Sequence, residues 1–280
     1  MSTIAIIGAG PIGGALAQKL ALRSRVREVR LIDPDVRVAE GKALDIQQSS
    51  PVESFSARVT AGADHTAAAG ADAIVLADLV ATGEIAGEGG LALIRQIARV
   101  EQRAPIVFAG GHQREVMSRS AGELHVNTRR LVGSAPLALE SAVRACTAAL
   151  VDASPTDVLL NVAGVPPSAA VIAWQSATAF SQPIDGLLPA HQIASLSARL
   201  PALWPPSPYT LASAAARVAE AVAVGSRHRY TCFAVQDISG IGRNIVAAVP
   251  VEFMKGGIER VLDPALSRHE RTLFEKGLQA

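Results

Sequence analysis

Apolar and polar positions alternate along the first half of the chain in a regular series. Residues 3–7 (TIAII) are almost wholly apolar, the pattern of a strand buried on both faces. They run straight into GAGPIGG and then into ALAQKLALRS, whose apolar residues return at helical spacing. A second strand is expected at EVRLID, ending at Asp33. Further short apolar runs follow at 57–62 (ARVTAG), 72–77 (DAIVLA), 105–110 (PIVFAG) and 129–133 (RRLVG), separated by helical segments. One of these, LALIRQIARVEQ, places Leu91, Ile94, Ile97 and Ala98 on a single face. Alternation of this kind builds a doubly wound parallel sheet covered by helices on both sides, so the expected fold class is α/β.

The glycines give the first strand-to-helix junction its chemistry. Gly8, Gly10 and Gly13 satisfy G-x-G-x-x-G. The first permits a tight turn, the second lets backbone approach a pyrophosphate, and the third lets helix and strand pack closely. Pro11 falls in the first helical turn, where its missing N–H has no helical partner to lose. Asp33 closes the second strand 20 residues after Gly13, where a carboxylate receives the ribose hydroxyls of NAD and repels a 2′-phosphate. Strand, glycines, helix, second strand and terminal acid in that order are the fingerprint of a Rossmann domain. The expected cofactor is NAD, held by Gly8, Gly10, Pro11, Ile12, Gly13, Asp33 and Ala77. The competing reading is a Rossmann fold that has stopped binding nucleotide.

Bulk properties narrow the partners. The 280 residues carry 26 basic and 25 acidic side chains, a net charge of +1, with no run of like charge, which argues against nucleic acid. Hydrophobic content of 49% with 18% charged residues is that of a globular protein. Cys146 and Cys232 lie far apart without C-x-x-C spacing, so neither a disulfide framework nor a metal site is expected. The start MSTIAIIGAG lacks a basic leader, and no apolar run reaches the roughly 18 residues of a membrane span, so a cytoplasmic protein with no membrane partner is expected.

Beyond the glycine motif, the chain resembles the malate/lactate dehydrogenase family, particularly its bacterial malate dehydrogenase branch. The resemblance rests on IAIIGAGPIGGALAQKLA, on VREVRLIDPDVRVAEGKALDIQQSSPVESFSARVT, within which GKALDIQQSSPVE is the most specific, and on AARVAEAV and AAVPVEFMKGGIERVLD near the end. It implies a Rossmann domain over residues 1–134 and a mixed α/β substrate-type domain over 135–280, with the active site in the cleft between them. It also implies hydride transfer between nicotinamide and a 2-hydroxy acid. In the family a His takes the hydroxyl proton and an Asp orients that His. One Arg forks onto the substrate carboxylate, and another on a mobile loop polarises the carbonyl. The helix matching AEGKALDIQQ forms the family's two-fold contact, which implies a homodimer or homotetramer.

The departures fall on the substrate side. Where the mobile loop should carry arginine, the chain has DLVATGEIAGEGG and reaches its first basic residue only at Arg95. The ungapped match puts Leu139 and Ala142 at the Asp and Arg positions of the helix after RRLVG. Sliding the register to Glu140 or Arg144 sets Val143 or Ser141 where the other partner should be. LLNVAGVPP (159–167) brings Ala163 or a neighbour to the place of the His, and AGGHQ brings Gly110 to the place of a substrate-contacting Asn.

His112, at the carboxyl edge of the sheet, is the remaining candidate base; its other reading is a helix cap or a solvent-exposed residue. Asp78, Glu84 and Glu88 read as solvated loop charge, with a cationic or hydroxylated ligand as the alternative. Asn161 could donate one hydrogen bond in the cleft. LPALWPPSPY (200–209) reads as a rigid elbow before a helix, and the last helix is expected from Pro264 with Asp263 as its cap, His269 and Glu270 lying on a wet face. Two functions remain open: an NAD-binding protein that no longer turns over malate or lactate and acts as a binding, sensing or structural subunit on an unknown small-molecule ligand, or an oxidoreductase acting on a neutral or cationic substrate with His112 as base.

Overall fold

Every residue of the first strand, β1 (Ser2–Ile7), is buried in the computed structural model, which describes residues 1–279. Such a strand belongs at the centre of a sheet covered on both faces. The chain continues through α1 (Pro11–Ala21), β2 (Val26–Ile32), α2 (Val36–Glu53), β3 (Arg58–Gly62) and β4 (Ala73–Leu76). After a short hairpin come α3 (Gly87–Val100), β5 (Ile106–Phe108), α4 (Arg114–Gly122) and β6 (Leu131–Gly133). All six strands pair in parallel, in the order β3-β2-β1-β4-β5-β6. The order reverses beside β1, and the carboxyl edge at that reversal is where doubly wound sheets bind ligands. Four buried isoleucines and leucines of α1 and α3, Leu16, Leu20, Ile94 and Ile97, cover the sheet.

The second half comprises α5 (Ala135–Leu150), β7 (Val162–Val165), β8 (Ala169–Ile172), α6 (Ala190–Ala198), α7 (Pro208–Val224), β9 (Ser226–Ile238), β10 (Gly242–Met254), β11 (Gly257–Val261) and α8 (Arg268–Gln279). Beyond β6 the pairing becomes antiparallel, but the sheet does not stop there. β9 pairs with β6 through Phe233↔Gly133 and Ala234↔Val132, and β10, β7 and β8 follow with β11 on β10, giving one sheet of 11 strands. α7 runs against α1 and α5. Alanines at 212, 214, 215, 216, 219 and 221 are buried around it, and their short side chains let it lie in the core. No helix among the described residues is long and apolar enough to cross a membrane.

The C-terminal helix corrects one expectation. It begins at Arg268 rather than Pro264, and Asp263 binds Arg271 instead of capping. The cap is a reciprocal pair: the Glu270 N–H donates to Ser267 Oγ at 3.3 Å and the Ser267 N–H to Glu270 Oε2 at 2.7 Å. The other Glu270 oxygen accepts the Trp174 N–H at 2.9 Å, so Glu270 is buried, not on the wet face; His269 is exposed. The proline-rich elbow forms a 3-10 turn over Leu200–Leu203 and leads into α7 at Pro208, as expected.

Candidate functional site

The glycine loop joins β1 to α1. Gly8 has φ +108°, and a Cβ on Gly13 would lie inside contact with the Gly8 carbonyl, 2.8 Å from its carbon. Only glycine lets the helix sit this close to the strand. The N-cap, Gly10, has no side chain to offer, so the first amides of α1 need acceptors from elsewhere. Asp78 supplies them: Ile12 N–H donates to Oδ2 at 3.1 Å and Gly13 N–H to Oδ1 at 2.9 Å, while Gly10 N–H donates to the Asp78 carbonyl at 2.8 Å. Asp78 is only 6% exposed. The expectation of solvated charge is therefore corrected for this residue; a carboxylate is favoured at a helix N-terminus by the unpaired amides and the helix dipole.

Asp33 faces inward at 1% exposure. Its Oδ2 accepts the Ala9 N–H at 2.8 Å and the Val80 N–H at 3.0 Å, and its Oδ1 accepts the Asp35 N–H at 2.9 Å. It thus ties the glycine loop to the segment after β4. Lys42 of α2 holds the loop from the other side, donating to the carbonyls of Ala9 at 2.5 Å and Gly10 at 3.1 Å. Pro11 is exposed, Ile12 buried, and Ala77 fully buried beneath Gly13.

Between β4 and α3 the chain folds into a small hairpin in which Asp78 and Leu79 face Glu84 and Gly83. Glu84 repeats the role of Asp78 at a second junction. Its carboxylate accepts the Gly111 N–H and, at 3.0 Å, the His112 N–H, and stands 2.9 Å from His112 Nδ1. Glu84 is likewise not the solvated charge expected, whereas Glu88 is exposed and pairs with Arg119. His112 is solvent-exposed and does not cap the following helix, whose N-cap is Gln113; its amide is held by Glu84, and its imidazole is 64% exposed. Its neighbour Gln113 has a structural role that the sequence does not reveal. Its buried amide accepts the Gly110 N–H at 2.8 Å and donates to the carbonyls of Ala77 at 3.3 Å and Ile85 at 3.1 Å.

Beside this hairpin, at the carboxyl edge, opens a pocket of about 520 Å³ walled by Ile7, Ile32, Pro34, Leu79, Ile85 and Leu93. Thr82, Gln96 and His65 bring polar atoms to it. A mostly apolar pocket with a few polar groups suits a flat ring.

Residues 2–98 match the family described as lactate/malate dehydrogenase, NAD binding domain. Over nearly its whole length the chain is 28% identical to a malate dehydrogenase of Desulforudis audaxviator, covering 99% of this chain and 95% of that one. A shorter stretch of 73 residues is 45% identical to a malate dehydrogenase of Nitrosococcus oceani, covering 26% and 24% of the two chains. The chain resembles the malate/lactate dehydrogenase family along nearly its whole length. The fold agrees. The lactate dehydrogenase of Cryptosporidium parvum, solved with lactic acid and nicotinamide adenine dinucleotide, superposes with a TM-score of 0.86 at 22% identity, over 99% of this chain and 94% of that one. The malate dehydrogenase of Salinibacter ruber gives 0.85 at 22% identity, over 98% and 93%.

The family's N-terminal domain is an NAD-binding one, and the residues here fit the cofactor in most respects. The close-packed glycines, the helix N-terminus, the acid at the end of β2 and the adjoining apolar pocket are all present. The exception is the Asp78 carboxylate, which already holds the amides of Ile12 and Gly13. A Cβ on Gly10 would fall 2.5 Å from Asp78 Cγ, so the space that the second glycine of the motif opens is filled by that side chain.

On the substrate side, where Leu139 and Ala163 or a neighbour are expected in place of the family's Asp and His, Leu139 and Ala163 are fully buried. Gly110 lies against Glu84. The polar group in this region is Glu140, one residue from the family position, buried on α5. It accepts hydrogen bonds from Thr231 Oγ1 at 2.5 Å and Asn161 Nδ2 at 3.2 Å. Burial pushes its carboxyl above the usual range against the opposing pull of those bonds, and burial, with Glu140 nearby, pushes the Cys232 thiol well up. Asn161 is thereby committed, bonding also to Thr231 at 3.3 Å. In the sequence Glu140 enters only as an alternative register. Its spacing to Val143 and Thr147, both buried on the same helix, is the available signal that it faces the core.

Proposed function

We propose that the chain binds NAD but has no useful malate or lactate dehydrogenase activity. The observation that carries this reading is the burial of Leu139 and Ala163 in the core, where the sequence resemblance sets Leu139, and Ala163 or a neighbour, in place of the family's Asp and His. An orienting carboxylate and an imidazole base are both missing from those positions, and Ala142 stands where the Arg that clamps the substrate carboxylate is expected. Positioned acid-base help alone contributes about 10² to 10⁴ in rate, and guanidinium pairing with the substrate carboxylate would be lost besides. The assay is steady-state oxidation of malate and lactate with NAD⁺, and the reverse with oxaloacetate and pyruvate. The expected result is no measurable turnover; kcat/KM at or above about 10⁴ M⁻¹s⁻¹ on any of the four overturns the reading.

A second reading is favoured by one contact, the 2.9 Å approach of Glu84 Oε2 to the exposed imidazole of His112. A carboxylate on one ring nitrogen orients the imidazole, leaving the other nitrogen for a ligand. NAD would supply the hydride acceptor. With the Glu84 carboxylate beside the imidazole, the substrate would be a neutral or cationic alcohol. Turnover of such an alcohol that disappears in His112→Ala supports this reading, and silence across a panel of them supports the first.

The assembly is proposed to be a homodimer or homotetramer in the cytoplasm. Support comes from α2, the helix carrying AEGKALDIQQ, where Leu44 is 58% and Val52 85% exposed, apolar surface that self-association would cover.

A further inference from the structure

The geometry points to Asp78 as the residue that decides whether the glycine loop accepts a phosphate-bearing ligand: its carboxylate is an internal occupant of the pyrophosphate cradle, and a dinucleotide binds by displacing it. The inference rests on the reading of residues 2–98 as an NAD-binding domain. Three amides at the junction converge on one residue, those of Ile12 and Gly13 on the Asp78 carboxylate and that of Gly10 on its carbonyl. A pyrophosphate seeks the same amides at a helix N-terminus. Two anions cannot share them, because like charges at a few ångströms with little water between repel strongly.

Steric fit leads to the same residue. Asp78 Cγ and Oδ2 stand 2.5 Å from where a Cβ of Gly10 would be, on the face the motif keeps open for phosphate oxygens. The carboxylate is also held in place. Asp78 lies opposite Glu84 in the hairpin, Glu84 is anchored on the amides of Gly111 and His112, and the next residues are tied through the Val80 N–H to Asp33. The pocket of about 520 Å³ beside the hairpin is lined by Leu79 and Glu84 but not by Asp78. A ligand that fills this pocket and carries no phosphate therefore leaves Asp78 in place, whereas one that extends a pyrophosphate towards α1 must evict it. Asp78 is a specificity-determining residue that discriminates between ligands by their phosphates.

The test is calorimetric titration of the full chain and of the Asp78→Ala and Asp78→Asn variants with NAD⁺, ADP-ribose and adenosine, each variant first confirmed as folded by thermal unfolding. In Asp78→Ala the affinities for NAD⁺ and ADP-ribose are expected to rise at least about tenfold, about 1.4 kcal/mol, with adenosine changing less than about twofold. Asp78→Asn, which removes the charge but keeps the bulk, falls between. Equal NAD⁺ affinity in wild type and both variants overturns the inference while leaving the cofactor reading intact. No NAD⁺ binding in any of the three overturns both. A parallel rise for adenosine also overturns it, since the effect would then lie in the pocket and not in the cradle. Amide hydrogen exchange on the wild type gives an independent reading: NAD⁺ should lower protection across residues 78–84, and unchanged protection with NAD⁺ bound contradicts displacement.

Discussion

Placing a methyl group on Gly110 tests whether Glu84 holds the junction after β5. The backbone at Gly110 is not in the positive-φ region, so alanine fits its conformation. The methyl would instead run into the Glu84 side chain, 2.6 Å from Cγ and closer still to the carboxylate. Glu84 must then leave the amides of Gly111 and His112. Hydrogen bonds to a charged acceptor contribute about 1.5–3 kcal/mol each, and the freed carboxylate and the exposed amide recover part of that from water, so Gly110→Ala should cost about 2–3 kcal/mol. Glu84→Ala should cost about as much, because it loses the same bonds. The double variant is the informative protein. With Glu84 gone, Gly110→Ala meets no obstacle and restricts only the unfolded chain, so its effect should fall to zero or become stabilising by about 0.4–1 kcal/mol. Urea unfolding of the four proteins gives the cycle, and thermal unfolding should show each single variant down by about 4–12 °C at roughly 2–4 °C per kcal/mol. If the two substitutions add to within about 0.5 kcal/mol, Glu84 is not what Gly110 accommodates and the account of this junction fails.

Glu140 makes stability depend on pH. Its carboxyl is raised above the ordinary value of 4.5 by burial, so between that value and the raised one the folded state holds more protons than the unfolded state. Its contribution is then fully present below the unfolded value and is lost as pH rises through the folded one. Glu140→Gln carries no proton to lose, so its stability relative to wild type should increase from pH 5 to pH 8 in urea unfolding; a constant or falling difference would contradict a raised carboxyl. Sedimentation velocity should give at least a dimer, weakened by Leu44→Glu and Val52→Glu on α2; a monomeric mass for the wild type at micromolar concentration removes the proposed assembly.

How far the fold can be read from residues depends on the range of the forces involved. β1, the glycine loop and α1 are legible because burial on both faces and the packing of Gly13 against Gly8 leave local marks: an apolar run and an obligatory glycine. The start of α8 is not, because Pro264 and Asp263 make a plausible helix entry, while the true cap, Ser267 with Glu270, also depends on Trp174 nearly a hundred residues away. The same applies to Asp78 and Glu84. In a glycine-rich stretch an acid looks solvated, and nothing nearby in sequence reveals that unpaired amides at positions 12–13 and 111–112 will lie within reach. Spacing alone locates Asp33, but its commitment to Ala9, Val80 and Asp35 follows from the loops folding over it. The division expected at 134/135 follows from the family resemblance alone, and nothing in the sequence marks the ladder joining Phe233 to Gly133 across it.

That ladder limits how the molecule can move. Strands knitted edge to edge act as a common plate, so the halves on either side cannot swing apart as two jaws without breaking main-chain bonds between β6 and β9. Any admission of a ligand is left to the rim, where the short turn from Asp78 to Glu84 is pinned by its carboxylates. Such pins release and re-form one at a time, so entry here is a matter of unfastening a clasp on a rigid frame.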